Sequence, residues 1–256
     1  MKTYFICADV HGFYNELMTA LNDAGFDLNN KDHVFVSCGD LLDRGTQPLQ
    51  CLQFVNNIPN DQKILIRGNH EDLMETAIIR KGFLLHDIHN GTFDTALAIS
   101  SSMGETSYDD TAVLLNVASS QDYNKYIHSL YDYYDDGKNV FVHGWIPCFD
   151  KQGNTYYNLP NWEEGDWRKA RWINGMEAWS HGIKLEGKTI FCGHWHTSWG
   201  HHFLHNDGME FPNERSTNPD HRRARFDPFI DDGIVALDAC TAFSGKINCI
   251  KVEVNE

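Results

Sequence analysis

The chain of 256 residues is 41% apolar and 22% charged, which is ordinary for a globular protein. It contains no apolar run of the roughly 18–20 residues that a transmembrane helix needs, and no signal-like segment at its start. Its formal net charge of −15 disfavours non-specific binding to the phosphates of nucleic acids. We therefore expect neither membrane association nor a nucleic-acid scaffold.

The cysteine content indicates a reducing compartment. The seven cysteines include no C-x-x-C pair, and their odd number argues against a closed disulfide framework. Cys7, Cys38 and Cys192 lie inside apolar, strand-like runs, which is typical of buried free thiols. This pattern predicts a cytoplasmic protein.

The first third of the chain alternates between strand-like and helical patterns. Strand-like runs occupy 3–9, 33–40 and 63–69, and helical patterns occupy 14–25, 48–58 and 71–81. In the first helical pattern, Leu17, Leu21 and Ala24 repeat on one face, and Gly25 has the position of a C-cap. A β-α-β-α-β order implies a largely parallel sheet with right-handed crossovers, and therefore an α/β fold.

Two segments interrupt the later strand-like runs, which lie at 139–144, 189–194, 233–238 and 246–254. Residues 82–138 are polar and acidic, and the spacing of their aromatic residues predicts a mostly helical insert. Residues 197–232 lack periodicity and are rich in His, Asn, Asp, Pro and Arg, so we predict a long loop insert near the active site. We assign 1–256 to a single domain.

Metal-capable side chains follow five of the strand-like runs, at the point where each run ends. They are Asp9, His11, Asp40, Asn69, His70, His143, His194 and His196. In open α/β sheets, ligands bind in the crevice at the carboxyl ends of the strands. Five strand ends that carry only Asp, His and Asn therefore predict a metal site, although any one of the histidines alone would be read as a surface loop residue.

The residue types indicate which ions would bind. Carboxylate, imidazole and amide ligands without thiolates suit Mn²⁺, Fe or Zn²⁺ in an open catalytic site. The candidate ligands are too many for one ion and suffice for two ions about 3.5–4 Å apart. Asp40 is the natural bridge, because one carboxylate can give an oxygen to each ion. We therefore expect two divalent cations, with Mn²⁺ as the first choice.

The neighbours of these ligands suit phosphoryl transfer. Arg44 offers a guanidinium for bidentate contact with phosphate oxygens, unless it is an ordinary surface charge. His70 is adjacent to Asn69 and could protonate a leaving alkoxide. Asp43 could orient the His70 imidazole and raise its pKa.

The five blocks occur in one order along the chain. They are Asp9-x-His11, Gly39-Asp40-x-x-Asp43-Arg44-Gly45, Gly68-Asn69-His70-Glu71, His143-Gly144 and Gly193-His194-x-His196. Together they resemble the calcineurin-like metallophosphoesterases, and most closely the phosphoprotein phosphatase branch with its bacterial and bacteriophage serine/threonine phosphatases. The ending "GIVALDACTAFSGKINCIKVEV" is also similar to the last strands of that family.

The resemblance implies a four-layer α/β/β/α sandwich and a role for each residue of the site. The first metal would be held by Asp9, His11 and Asp40, and the second by Asp40, Asn69, His143 and His194. In the wider superfamily the second histidine of the Gly-His block, here His196, also binds the first metal. His70, oriented by Asp43, would be the general acid, and Arg44 would bind phosphate. A hydroxide that bridges the metals would attack phosphorus directly.

Phosphoprotein phosphatases also use a second phosphate-binding arginine after the position of His143. Arg168 and Arg171 are the candidates, and we favour Arg171 because of its distance from His143 along the chain. The alternative is that both are ordinary charges on a helix surface.

We predict a Mn²⁺-dependent phosphomonoesterase of the protein serine/threonine phosphatase type, which acts on a phosphorylated protein or a small phosphoester. The alternatives within the superfamily are a symmetrical dinucleoside tetraphosphate hydrolase and a nucleic-acid phosphodiesterase. Trp195, Trp199 and Phe203 bear on this choice, because they could either stack a base or pack the foot of the 197–232 loop. A metal-binding module without catalysis is a further alternative, against which the His70–Asp43 pair argues.

Overall fold

Two β-sheets lie face to face at the centre of the molecule, with helices against the outer face of each sheet. The computed structural model describes residues 1–104, 106–149, 155–219 and 222–254. Within these ranges no helix is long and apolar enough to cross a membrane. The layered arrangement confirms the expected four-layer α/β/β/α sandwich.

The first sheet contains the early strands of the chain and its last strand. Its strands are β1 (Lys2–Cys7), β2 (His33–Ser37), β3 (Lys63–Ile66), β4 (Leu130–Tyr131) and β10 (Ile250–Val254). Strands β1 to β4 are parallel neighbours in this order, and β10 pairs antiparallel with β1. The predicted parallel sheet is thus confirmed, with one antiparallel edge strand.

The second sheet is formed by strands from the second half of the chain. Its strands are β5 (Tyr134–Asp135), β6 (Asn139–Phe141), β7 (Thr189–Cys192), β8 (Phe229–Asp231) and β9 (Ile234–Ala236). Their order in the sheet is β5-β6-β7-β9-β8, with β6, β7 and β9 parallel and the two edge strands antiparallel.

The helices form the two outer layers. They are α1 (Tyr14–Ala24), α2 (Pro48–Asn57), α3 (Asn69–Arg80), α4 (Leu85–His89), α5 (Thr92–Ser102), α6 (Asp110–Ser119), α7 (Gln121–Ile127), α8 (Trp167–Ala170), α9 (Gly175–Ser180), α10 (Thr197–Phe203) and α11 (Thr241–Ser244). Gly25 follows α1 with φ +83°, as expected of a left-handed C-cap. Helix α3 begins at Asn69, so that Asn69 and His70 lie in its first turn.

Alternation along the strands explains the layers. On β1, Phe5 and Cys7 face the helical layer, whereas Tyr4 and Ile6 face the second sheet. Phe141 comes from the second sheet and lies in the same central core as Tyr4, with 5.7 Å between the ring centroids. Both faces of the sheet are therefore buried, and this is why the strand-like runs are almost continuously apolar.

The two interrupting segments contain more regular structure than the sequence pattern indicates. Residues 82–138 contain α4 to α7 and strands β4 and β5, and helices α5, α6 and α7 pack into the core on the first sheet. The long loop predicted at 197–232 is wrong at both ends, because the segment begins with α10 and ends with β8. Within these two segments, positions 105, 220 and 221 lie outside the described residues.

Candidate metal centre and catalytic site

The loops that follow the strands hold the site residues in a strained backbone conformation. Positive φ angles at non-glycine residues occur at Asp9 (52°), His11 (50°), Asp40 (53°), Asp43 (72°), Arg44 (59°) and His194 (67°). Such left-handed conformations each cost of order 1–3 kcal/mol and concentrate at functional sites, where packing holds them. Here they turn the chain sharply at the end of β1, β2 and β7 and bring its polar side chains together.

Asp40 lies between two groups of possible ligands. Its Oδ2 atom lies 3.7 Å from His11 Nε2 and 3.8 Å from His70 Nε2. Its Oδ1 atom lies 3.4 Å from His143 Nε2 on the other side, where His194 completes the second group. Within each group the ligand atoms are all within 4.8 Å of one another. One carboxylate therefore faces both groups, as a bridging ligand must.

Backbone carbonyls fix the orientation of two of these histidines. His11 Nδ1 donates to the Leu42 carbonyl at 3.2 Å, and His143 Nδ1 donates to the Cys38 carbonyl at 2.8 Å. The Nε2 atom of each ring is therefore directed into the site, and this is the usual support of a metal-binding histidine. Asn69 Oδ1 lies 2.7 Å from His143 Nε2, so the amide oxygen joins the second group.

Asp9 is the acidic residue on the side of His11. Its Oδ1 lies 3.9 Å from His11 Nε2, and its two oxygens lie 3.1 and 2.9 Å from the backbone N–H of His194. Burial and the nearby carboxylate of Asp238 raise the pKa of Asp9 well above its usual range. The strand-end pattern missed Asp238, although this residue ends the strand-like run 233–238 and could have been found by the same rule.

The electrostatics of the site favour cations. Burial alone would raise the pKa of Asp40, but His143 and His70 hold it well below its usual range. Burial alone would lower the pKa of His143, but Asp40 raises it to about 10. Burial and the charge of His143 lower the pKa of His194 to about 3, so His194 is a neutral ligand at pH 7. Without a metal ion, the proton on His143 supplies part of the positive charge that Asp40 requires.

Two glycines allow the ligands to approach the neighbouring backbone. A Cβ atom at Gly68 would lie 2.0 Å from Asp40 Oδ1, and a Cβ at Gly193 would lie 2.0 Å from Asp9 Oδ2. Neither glycine has a positive φ. Close approach, and not backbone conformation, is therefore the reason that these two positions beside the ligands carry glycine.

The residues of the two groups fit a pair of divalent cations. The donor set of carboxylate, imidazole Nε2 and amide oxygen is the one that Mn²⁺, Fe and Zn²⁺ share in catalytic sites, and no thiolate takes part. His11 and Asp40, with Asp9 Oδ1 at 3.9 Å from His11 Nε2, are candidates to hold one ion, and Asp40, Asn69, His143 and His194 are candidates for the other. His70 also lies in the first group but is paired with Asp43.

His70 and Asp43 form the predicted dyad. His70 Nδ1 donates to Asp43 Oδ2 at 2.8 Å, and Thr92 Oγ1 donates to the same oxygen at 2.7 Å. Burial alone would lower the pKa of His70, but the carboxylates of Asp40 and Asp43 raise it. The other ring nitrogen, Nε2, lies 3.3 Å from a guanidinium nitrogen of Arg44, whose side chain reaches the solvent. The dyad therefore directs Nε2 towards the open side of the site.

Glu71 supports the site from behind, a role that sequence reasoning did not assign. Its carboxylate accepts the backbone N–H groups of Gly68 at 2.7 Å, Asp40 at 3.2 Å and Leu41 at 3.2 Å, and the hydroxyl of Tyr126 at 2.8 Å. The buried carboxylate thereby ties the loop after β2 to the start of α3. A Glu three residues after a helix N-cap is the sequence signal that could have identified it.

Arg171 is held in an ion network beside the second group. Its guanidinium donates to Asp72 Oδ2 at 2.7 Å and to Asp132, and Asp72 also pairs with Arg67. The next residue, Trp172, lies against the metal-ligand candidate His194, with ring centroids 5.7 Å apart. The phosphate-binding role of Arg171 stays a prediction. Its alternative, Arg168, is exposed on α8.

His196 is not brought into either group. Its Nε2 lies 3.0 Å from Glu210 Oε1, and its ring packs on Phe211 with centroids 4.7 Å apart. The expectation that His196 binds the first metal therefore gains no support from the structure. The physical reason is that its imidazole is turned towards residues 210–211, which come from the segment after α10.

The aromatic residues next to the Gly-His block pack the structure. Trp195 and Trp199 lie against the core of the second sheet, and Trp199 contacts Phe203 with ring centroids 5.3 Å apart. This favours the packing role over a base-stacking one for Trp195 and Trp199, whereas Phe203 is 55% exposed.

Comparison with known proteins agrees with this site. The sequence model of the calcineurin-like phosphoesterases matches residues 2–215. The symmetrical bis(5'-nucleosyl)-tetraphosphatases of Buchnera aphidicola subsp. Baizongia pistaciae and Proteus mirabilis are each 42% identical over 71 residues, which are 28% of this chain and 24% of each relative. The chain thus matches about a quarter of the length of these curated relatives.

The fold is similar to that of solved phosphatases. The cold-active protein-tyrosine phosphatase of a psychrophilic Shewanella species superposes with a TM-score of 0.52 at 15% identity, over 100% of this chain and 76% of that one. A mutant cold-active protein-tyrosine phosphatase gives a TM-score of 0.54 at 16% identity, with the same coverage. From the family match and the ligand groups around Asp40, we conclude that the chain belongs to the calcineurin-like phosphoesterases.

Proposed function

We propose that the chain is a phosphomonoesterase for alkyl phosphates, of which phosphoserine and phosphothreonine in proteins are the substrates we favour. The observation that carries this proposal is the buried hydrogen bond between His70 Nδ1 and Asp43 Oδ2. A dyad of this kind holds an imidazolium ready to give up a proton. The reaction that needs it most is one with a strongly basic leaving group.

The leaving group distinguishes the candidate substrates. A serine or threonine alkoxide is a strong base and leaves well only when it is protonated in the transition state. General acid catalysis typically contributes about 10²–10⁴-fold to such a step. A nucleotide leaving from a polyphosphate is already a stable anion, so a general acid contributes much less.

The residues of this chain would divide the work as follows. Arg44 would bind phosphate oxygens beside His70 Nε2, which lies 3.3 Å from its guanidinium. His70 would give its Nε2 proton to the leaving oxygen, while Asp43 stabilises the imidazolium through Nδ1. When bound, the two cations would activate a water molecule and neutralise the charge of the phosphate.

A second candidate is a symmetrical dinucleoside tetraphosphate hydrolase. The observation in its favour is the 42% identity over 71 residues to enzymes of that name. The shared segment covers only 24% of those relatives, so it supports the chemistry of the site more strongly than the substrate.

The experiment compares three substrates with the Mn²⁺-loaded protein. These are a phosphoserine peptide, p-nitrophenyl phosphate and diadenosine tetraphosphate, each with the wild type and with His70→Asn. We expect the wild type to hydrolyse the peptide, and we expect the variant to lose about 10²–10⁴-fold on the peptide and far less on p-nitrophenyl phosphate. Turnover of diadenosine tetraphosphate alone would support the second candidate. No metal-dependent turnover of any substrate would indicate a binding module.

A further inference from the structure

A second polar cavity lies away from the metal centre, next to the first residue of β3. Its volume is about 450 Å³. It is lined by Asn60, Lys63, Leu65, Lys125, His128, Ser129, Leu130 and Tyr131. The metal-ligand candidate Asn69 is the first residue of α3, beyond the end of β3 at Ile66, whereas Lys63 is the first residue of β3. The cavity is therefore separate from the site around Asp40.

Two lysine ammonium groups lie side by side in this cavity. Lys63 Nζ donates to the Val55 carbonyl at 2.7 Å, and Lys125 Nζ donates to the next carbonyl, that of Asn56, at 2.6 Å. Among the described residues, neither lysine has a carboxylate oxygen within 4.0 Å. On a chain with a net charge of −15, two adjacent cations without an acidic partner are unexpected.

Capping of α2 explains only part of this arrangement. Lysine side chains near a helix C-terminus often bind its last carbonyls, and Val55 and Asn56 are in that position. An ammonium group has three N–H donors, and one hydrogen bond from each lysine leaves donors for a ligand. Burial and the charge of Lys125 lower the pKa of Lys63, because both disfavour its protonated form. An anion between them would remove that repulsion.

The other lining groups suit a phosphate compound larger than the inorganic ion. His128 Nδ1 donates to the Asn124 carbonyl at 2.7 Å, which leaves Nε2 for a ligand. Asn60 adds an amide, and among the described residues no carboxylate lines the cavity. The exposed ring of Tyr131 at the edge offers a flat surface on which a base can stack. The volume exceeds what a single phosphate group fills.

We propose that this cavity is an anion site for the phosphate group of a nucleotide-sized compound, with Lys63 and Lys125 as its charged anchors. The proposal does not depend on the substrate of the metal centre. Charge-assisted hydrogen bonds from two ammonium groups give the affinity, and the room beside Tyr131 selects compounds that carry a base over inorganic phosphate.

The test uses isothermal titration of the metal-free chain of 256 residues, so that hydrolysis does not interfere. AMP, inorganic phosphate and adenosine are the probes. Four variants are compared with the wild type: Lys125→Gln, Lys63→Gln, the exposed control Lys251→Gln and Arg44→Ala at the metal centre. Lys125 is exposed on α7, so its substitution does not threaten the fold even if Lys63→Gln does.

We expect AMP to bind the wild type more tightly than inorganic phosphate does, and adenosine to bind weakly. Lys125→Gln should weaken AMP binding about tenfold or more, whereas Lys251→Gln and Arg44→Ala should change it less than about twofold. The proposal is overturned if AMP does not bind at concentrations up to about 10 mM. It is equally overturned if Arg44→Ala abolishes binding while Lys125→Gln leaves it unchanged, because the anion would then bind only at the metal centre.

Discussion

Replacing Asp43 with asparagine tests the dyad without disturbing its shape. Asn has nearly the volume of Asp, and it tolerates the left-handed backbone that Asp43 adopts at φ 72°. The change removes the negative charge that accepts the hydrogen bond of His70 Nδ1 at 2.8 Å, and both side chains are only 3% exposed. The hydrogen bond of Thr92 to the same position can persist.

The magnitude follows from the loss of a buried charge-assisted hydrogen bond. Such a bond contributes about 1.5–3 kcal/mol, and 1.36 kcal/mol corresponds to a factor of ten in rate. If it stabilises the protonated His70 that the transition state requires, turnover of a phosphoserine peptide falls about 10–100-fold. Asp43 raises the pKa of His70, so its loss lowers that pKa, and the alkaline limb of the pH–rate profile moves to lower pH.

The assay measures kcat and kcat/KM from pH 5 to pH 10 on the phosphoserine peptide and on p-nitrophenyl phosphate. Nitrophenolate leaves without a proton, so the turnover of p-nitrophenyl phosphate by Asp43→Asn should fall less than about fivefold. Asp94→Asn, at an exposed position of α5, is the matched control for charge and should change neither rate. An equal loss on both substrates with the alkaline limb in place would refute the role of the dyad.

Three other predictions concern the metal ligands and their support. Glu71→Gln should weaken metal affinity about 10–100-fold, because an NH2 group replaces one of the two carboxylate oxygens and cannot accept the backbone N–H groups that this oxygen accepts. Tyr126→Phe removes only one donor to Glu71 and should have a smaller effect, which a metal titration measures. Metal binding at pH 8 should release a proton from His143, because the pKa of this residue is about 10 without metal. Metal affinity should therefore rise with pH, and calorimetry in buffers of different ionisation enthalpy measures the released proton. His196→Asn should leave the metal content unchanged, because Glu210 and not a metal group faces Nε2; loss of one ion by mass spectrometry would contradict this.

The clustering of the candidate ligands at the strand ends was predictable from the sequence, because strand order alone brings these residues together. Asp9, Asp40, Asn69, His143 and His194 each follow a parallel strand, so the sheets place them at one edge whatever the details of packing. The pairing of His70 with Asp43 was likewise predictable, since both residues are next to ligands.

Residues that depend on distant segments were not predictable in this way. His196 lies beside a ligand in the sequence, but its side chain is held by Glu210, which belongs to a segment without periodicity. Arg171 was favoured for its distance from His143 along the chain, yet nothing in its neighbourhood in the sequence indicated Asp72 and Asp132 as its partners. Helix α10 was missed because it is short and rich in His, Ser and Gly, without an apolar repeat.

The most direct test of the central claim is the metal stoichiometry of activity. Metal-stripped protein is titrated with Mn²⁺ while bound metal and the turnover of p-nitrophenyl phosphate are measured together. Because Asp40 faces both groups of ligands, activity should rise until two ions per chain are bound and then stay constant. Full activity with one ion per chain, or activity without metal, would contradict the two-metal site.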